Sequence, residues 1–456
     1  MAAAPQNDDS DLTEKNNELV WQQSLTQANG MLQYWTQNKQ QPVRSTHHDT
    51  KVFTLNVLAA ALFNKVYPFE GQDAEKLHNH EGDKSYQYRE SLSTILSSII
   101  QIFVFGEQGL KAWWTPESFK NAAKAMNEFR SYIFGLMDEE TAHNARGEDA
   151  NNHLVARLVR ACEEDQAEED MGSDAGEKGS VTRKMTLTKE EILSNLFVYT
   201  FAGNDTTAIA LTNLLTHLAA NPDSQDWISE EINYYLPSDD MQSWNYEIFF
   251  KLRRCGAVVV SNTLHIPHAS LNTKLINNQM ETLRVCHPLS QLVKTTGSTA
   301  QPLEINGKTY IIPAGVSVHC SLPALHTHPR YWGDNPLAWN PCRFISKIHS
   351  SHDNAESNSK NTFESEVLAP ETSENFMPFA WGQRVCPGKK FAQVELVAVL
   401  ARLFRDWKVE PEPRQGETLE QARDRVWRSS LVVDHERHML HEMYDPESVG
   451  LRWVRR

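Results

Sequence analysis

The stretch Phe379-Ala-Trp-Gly382-Gln-Arg384-Val-Cys386-Pro387-Gly388 constrains this chain more than any other. A single cysteine lies in a short loop punctuated by Gly382, Pro387 and Gly388. The cations Arg384, Lys389 and Lys390 stand close by, and a long apolar-periodic segment follows at once. A thiolate, not a thiol, ligates metal, and nearby positive charge together with backbone N–H groups at a helix N-terminus lowers a cysteine's pKa. Gly382 and Gly388 allow sharp turns and close approach to a flat ligand. Pro387 suits the first turn of a helix, and Phe379 is placed to pack beside the ligand. A lone cysteine is ordinarily a small buried hydrophobe; the whole spaced pattern argues instead for a held thiolate.

Two more constellations carry chemistry. Thr188-Lys-Glu-Glu191 is a capping box, with Leu187 and Ile192 as its hydrophobic staple, and it predicts a helix running to about Ala220, stopped by Asn221-Pro222. That helix contains Ala202-Gly203-Asn204-Asp205-Thr206-Thr207. A mid-helix glycine costs about 1 kcal/mol relative to alanine, so Gly203 reads as room made for a ligand. A threonine hydroxyl bonded to the preceding turn widens the helix, while Asp205 and Thr206 offer an acid and an alcohol for proton relay. The third constellation is Glu281-Thr-Leu-Arg284, whose charges share one helical face, together with Arg343 in Pro341-Cys-Arg343-Phe344.

The pattern F-x-x-G-x-R-x-C-x-G, filled here at every fixed position, resembles the haem-binding loop of the cytochrome P-450 superfamily, the haem-thiolate monooxygenases, of fungal type. The resemblance implies a mainly α fold with a small β region, in one domain that lacks the family's N-terminal part. It implies haem b with Cys386 as the axial iron ligand, and Arg384, Phe379, Gly388, Ala202 and Gly203 at the cofactor. Arg384 would bind a haem propionate, with Lys294 a second candidate by position. Asp205 and Thr206 become the proton-delivery pair, and Glu281, Arg284 and Arg343 a structural triad. The implied reaction inserts one oxygen atom of O2 into a small lipophilic substrate. Electrons would come from an NADPH-dependent flavin reductase received near Arg384, Lys389 and Lys390.

Composition agrees with a large enzyme. Of 456 residues 40% are hydrophobic and 12 are Trp, enough for a substantial core, and a net charge of 44 − 59 = −15 argues against nucleic acid as a partner. The six cysteines show no paired metal spacing and suit a reducing compartment. No signal peptide is visible. The apolar run Ile95 to Phe105 is broken by Ser97, Ser98 and Gln101, short of the roughly 18 residues a membrane span needs. The family's usual endoplasmic reticulum anchor is therefore not seen, and the chain as written reads as cytoplasmic or peripheral.

Apolar periodicity predicts helices over Thr13 to Asn38, Val52 to Val66, Tyr86 to Phe105, Pro116 to Thr141 and from Cys386 to Trp407. His47-His48 and His78-Asn-His80 read as solvated loop residues rather than metal ligands. Residues 163–183 read as a flexible acidic linker and 346–375 as an exposed loop. Asn306-Gly307 signals a hairpin, and strands are expected near Ser429 to Val433 and Leu451 to Val454.

Two departures from the family stand out. The anchor, the first sheet and the W-x-x-x-R helix have no counterpart before Thr13. Residues 259–279 have no clear period and contain Pro267; without them Leu252, Cys255, Val258, Met280, Leu283 and Cys286 would form one helical face. That segment reads as a non-native insertion, a translated unspliced intron, with an ordinary surface insertion as the alternative; either way an irregular loop is expected there. The competing view of the whole chain is a truncated remnant that binds haem weakly or not at all.

Overall fold

The computed structural model describes residues 8–37, 41–71, 91–92, 94–95, 97–146, 153–160, 162, 187–259, 281–347, 362–368, 375–434 and 440–456. The chain divides into two compact units, Met1–Met31 with Lys51–Asp205, and Leu32–Thr50 with Thr206–Arg456. Helices α1 (Asp8–Gln37), α2 (Thr46–Phe63) and α5 (Lys189–Ala220) contribute to both; α3 (Ile99–Leu110) and α4 (Glu117–Ala145) belong to the first.

In the first unit α2 buries Phe53, Val57, Leu58 and Phe63, so burial of its apolar side chains, not propensity, holds it. Asn56 Nδ2 donates to Gln27 Oε1 at 2.9 Å and Gln27 Nε2 donates to Tyr67 O at 2.7 Å, which links two buried amides in series. The Thr188 capping box forms: Thr188 N–H donates to Glu191 Oε2 at 2.8 Å and Glu191 N–H to Thr188 Oγ1 at 3.2 Å. The helix it opens ends at Ala220, and Pro222 begins the next.

The second unit holds α6 (Pro222–Tyr235), α7 (Arg253–Val259), α8 (Glu281–Val285), strands β1 (Gln291–Thr295), β2 (Gln301–Ile305), β3 (Lys308–Ile312) and β4 (Ser317–Ser321), and α9 (Leu322–Thr327). Then come β5 (Ile345–Lys347), β6 (Glu366–Leu368), α10 (Lys389–Phe404), β7 (Trp407–Pro411), α11 (Leu419–Ser430), β8 (Val433–Asp434), β9 (Glu442–Met443) and β10 (Leu451–Arg455). All five strand pairs are antiparallel. β2 and β3 turn through Asn306 and Gly307 at φ 51° and 74°, the expected two-residue hairpin. Helix α10 is buried on nearly every side, from Gln393 through Ala401 and again at Leu403 and Phe404, and packs on α6, α7 and β7. Gln225 pins α6 to β7: its Nε2 donates to Val409 O and its Oε1 accepts from Val409 N–H.

Short helices α7 and α8 are held by buried charge. Glu231 caps α7 by accepting N–H groups from Arg254 and Cys255. Arg254 forms a bidentate pair with Glu366 at 2.8 Å on both oxygens. In α8, Glu281 and Arg284 are fully buried and paired at 2.8 Å. Arg284 also donates to the carbonyls of His326, Pro336 and Ala338. Glu281 Oε1 accepts further from Asn340 N–H at 2.8 Å and Arg343 Nε at 3.3 Å.

Several expectations are corrected. His47 is a buried residue of α2, with Nε2 3.4 Å from Glu442 Oε2, because that helix starts six residues earlier than the apolar pattern suggested; His48 is half-exposed. The strand expected from Ser429 is instead the end of α11, whose capping box at Thr418 and Gln421 and amphipathic face favour a helix; β8 is two residues long. Residues 346–375 are not an exposed loop throughout: Ile345–Lys347 pairs with Glu366–Leu368, and Glu366 is buried by its grip on Arg254. Helix α3 kinks at Gly106, φ 61°, and extends past Phe105 to Leu110. The 163–183 linker, the irregular loop expected at 259–279 apart from Val259, and His78-Asn-His80 lie outside the described residues.

Glu281→Ala leaves Arg284 charged and buried and is expected to cost about 3–5 kcal/mol, read as a lower urea midpoint of the purified chain. Arg343→Ala, removing a guanidinium that is 25% exposed, should cost under about 1 kcal/mol.

Candidate functional site

The loop from Phe379 to Gly388 is closed by its own backbone. Cys386 N–H donates to Phe379 O at 2.9 Å, Val385 N–H to Gly382 O at 3.2 Å, and Ala380 N–H to Met377 O at 3.2 Å. Two residues take left-handed backbone, Ala380 at φ 62° and Gly382 at φ 79°. Glycine accepts that conformation freely; alanine is strained there. Gly388 differs from the expectation: at φ −83° it caps α10, and a Cβ there would lie 3.9 Å from the Cys386 sulfur. Its value is open space beside the sulfur rather than a special turn. Pro387 precedes that cap, so it stands just outside the helix instead of in its first turn.

The backbone N–H groups of Gly388 and Lys389 at the head of α10, the latter donating to Cys386 O at 3.2 Å, and the Lys389 charge act to favour the thiolate. The residue is exposed, yet desolvation is the larger effect at the sulfur, and the Cys386 thiol lies above its ordinary pKa. The lowering expected from sequence is thus present in its ingredients but outweighed. Arg384 is exposed and, among the described residues, forms no ion pair. Trp381 and Val385 present apolar surface at 52% and 47% exposure. One sulfur, a guanidinium two residues away for an acidic side arm, and apolar flanks suit a haem. Lys294 lies exposed on β1, opposite Val318. Lys389 Nζ stands 5.9 Å from the Phe379 ring, and Lys390 Nζ lies over Phe249 and Phe250 at 4.4 and 4.6 Å, so these cations already engage aromatic faces.

Helix α5 carries the other predicted residues. Ala202, Gly203 and Asp205 belong to the first unit and Thr206 to the second. Asn204 Nδ2 donates to Asp205 Oδ1 at 3.2 Å, and Asp205 and Thr206 are half-buried. The helix stays α-helical throughout, and the hydroxyls of Ser194, Thr200, Thr212 and Thr216 bond the preceding turn. The room expected at Gly203 is partly taken: a Cβ would meet Leu58 Cδ2 at 3.2 Å, so the glycine lets α5 approach α2 within the first unit.

Reading the sequence missed His287 and His326. The structure brings both onto the backbone just before the loop, at Pro378 O and Met377 N–H. Neither carries a spacing signal; only the closeness of His287 to the E-x-x-R helix could have drawn notice.

No helix of the described residues is long and apolar enough to cross a membrane. The chain is 26% identical over 422 residues to "Cytochrome P450 monooxygenase prx9" of Penicillium rubens, covering 90% of this chain and 65% of that one. It is 28% identical over 373 residues to the "Phomenoic acid biosynthesis cluster cytochrome P450 monooxygenase" of Leptosphaeria maculans, covering 78% and 56%. The chain thus spans somewhat under two thirds of the length of these relatives. The crystal structure of the cytochrome P450DA heme domain aligns with TM-score 0.61 at 18% identity, covering 96% of this chain and 74% of that one, which shows a shared fold. The family profile for Cytochrome P450 matches residues 13–251 and 273–436. On that match, which takes in the Cys386 loop, the Asp205-Thr206 helix and the Glu281 triad, the chain belongs to the cytochrome P450 family.

Proposed function

We propose that this chain is a haem-thiolate monooxygenase that inserts one oxygen atom of O2 into a small lipophilic substrate. The observation that carries the reading is the position of Cys386 just before α10, in a loop closed by its own backbone and next to Arg384, which forms no ion pair among the described residues. Haem b, when bound, supplies an iron that activates O2, and a thiolate ligand favours O–O cleavage.

The protein's own residues then have distinct tasks. Cys386 gives up its proton and holds the cofactor, and the N–H groups of Gly388 and Lys389 temper the charge left on sulfur. Arg384 orients a propionate, with Phe379 and Gly388 beside the ring. Ala202 and Gly203 present small surfaces on the long helix, Asp205 holds a proton at its carboxyl, and Thr206 passes one through its hydroxyl. An NADPH-dependent flavin reductase supplies electrons, and the cations at the head of α10 suit an acidic partner surface. The endoplasmic reticulum membrane, the family's usual setting, would suit a lipophilic substrate.

Residues 259–279 are, on this reading, an insertion. Cys255 and Val258 of α7 and Leu283 and Cys286 around α8 are all buried, and the family match skips residues 252–272. Sequencing the transcript across codons 258–280 should find the segment removed from the mature message; a message that retains it overturns this.

The reduced carbon-monoxide difference spectrum of the purified chain should show a thiolate-type Soret shift that Cys386→Ala abolishes. Absence of haem uptake, or an imidazole-type spectrum, would favour the inactive remnant. Thr206→Ala should leave haem binding intact and uncouple electron consumption from product; unchanged coupling removes Thr206 from its role.

A further inference from the structure

Two imidazoles from separate segments grip consecutive backbone groups immediately before the cysteine loop. Met377 N–H donates to His326 Nε2 at 3.0 Å. His287 Nε2 lies 3.0 Å from Pro378 O, while its Nδ1 accepts from Leu289 N–H at 2.9 Å. A carbonyl only accepts, so His287 Nε2 donates to Pro378 O, while its Nδ1 is within reach of both the N–H and the carbonyl of Leu289, at 2.9 and 3.1 Å. An amide N–H only donates, so His326 Nε2 is bare and that ring is neutral. Burial lowers the pKa of His287 and pushes that of His326 down to about 3.

Each ring is itself fixed. The two stand edge to face with centroids 5.6 Å apart. His326 packs 4.8 Å from Phe376, which is fully buried and also meets Trp332 and Phe344. The His326 carbonyl accepts from Arg284 Nη1 at 3.0 Å, and the Arg284 guanidinium lies 4.8 Å over the Trp332 ring. On the other side, Met377 O accepts from Ala380 N–H and Phe379 O from Cys386 N–H. A continuous path thus runs from the Glu281 carboxylate through Arg284, His326 and Met377 to the thiol loop.

We infer that His287 and His326 are positioning residues: they set the direction in which residues 376–378 lead into the loop, and so the place of the Cys386 sulfur. The inference rests on the reading of Cys386 as the thiolate ligand. An imidazole suits the task because it supplies one directed acceptor or one directed donor on a rigid ring with few rotamers. A glutamine at 326 can present Oε1 to the same N–H; a leucine fills the space and accepts nothing.

The test uses the full chain carrying His326→Gln, His326→Leu or His287→Leu. Hydrogen exchange at the Met377 amide, followed without cofactor, should speed at least tenfold in His326→Leu and stay near wild type in His326→Gln. Labelling of the Cys386 thiol, followed on its own peptide, should change rate in His326→Leu and in His287→Leu, but not in His326→Gln. In haem-loaded protein the fraction of thiolate-type carbon-monoxide complex should fall in the leucine variants at equal haem content and recover in His326→Gln. His287→Leu removes the donor to Pro378 O together with the Nδ1 contact to Leu289, leaves the Met377–His326 hydrogen bond in place, and keeps the idea testable if His326→Leu does not fold. Wild-type exchange and labelling in the leucine variants overturn the inference, and so do equal effects of Gln and Leu at 326, which would mark the ring as packing alone. Should the wild-type chain form no thiolate complex while Met377 exchange and Cys386 labelling still respond as stated, the proposed function fails and the positioning role stands.

Discussion

At the Cys386 sulfur two effects oppose each other: desolvation raises the thiol's pKa, and the N–H groups of Gly388 and Lys389 at the head of α10, with the Lys389 ammonium, act against it. Donors of this kind help only when they need not reorganise as charge appears. The loop is accordingly built from closed backbone hydrogen bonds, and it retains a strained residue, Ala380, in left-handed backbone. Such strain persists only where the surroundings over-determine the conformation.

Those surroundings combine buried aromatic packing at Phe376, Phe344 and Trp332 with a polar network. Arg284 spends its donors on Glu281 and on three carbonyls, and Glu281 accepts from Asn340 and Arg343 as well. A buried ion pair of this sort is weak as a source of stability, since its desolvation offsets most of the Coulomb attraction. Its effect here is directional. Each hydrogen bond fixes one carbonyl or amide of the chain between residues 326 and 343, and His326 passes that order on to Met377.

How much of this was legible in the sequence depended on range. The capping box at Thr188, the stop at Asn221-Pro222 and the Asn306-Gly307 turn are local statements, and the structure reproduces them. The Cys386 loop was legible because its residue types are tied to chemistry at fixed spacing. The Glu281–Arg284 pair was legible as a pair, but its three carbonyl partners were not, since they lie 42 to 54 residues away. His47 was misread for a similar reason: the helix that holds it starts before the apolar pattern does, and Glu442, which its Nε2 approaches at 3.4 Å, lies 395 positions along the chain by number. The net direction at Cys386 was missed because composition reports which charges are near, not how much water the fold removes. Gly203 read as room for a ligand, and Leu58, on another helix, takes up part of that room.

The Glu281–Arg284 pair of α8 is satisfied by groups from residues 326 to 343. Its order arrives only with that chain, after the strands β1 to β4 have brought it back, and closing such a span is a slow, entropy-limited event. The cysteine loop, tied to the same chain through His326 and Met377, inherits the delay. In the time course of folding, that loop would be among the last parts to acquire its shape.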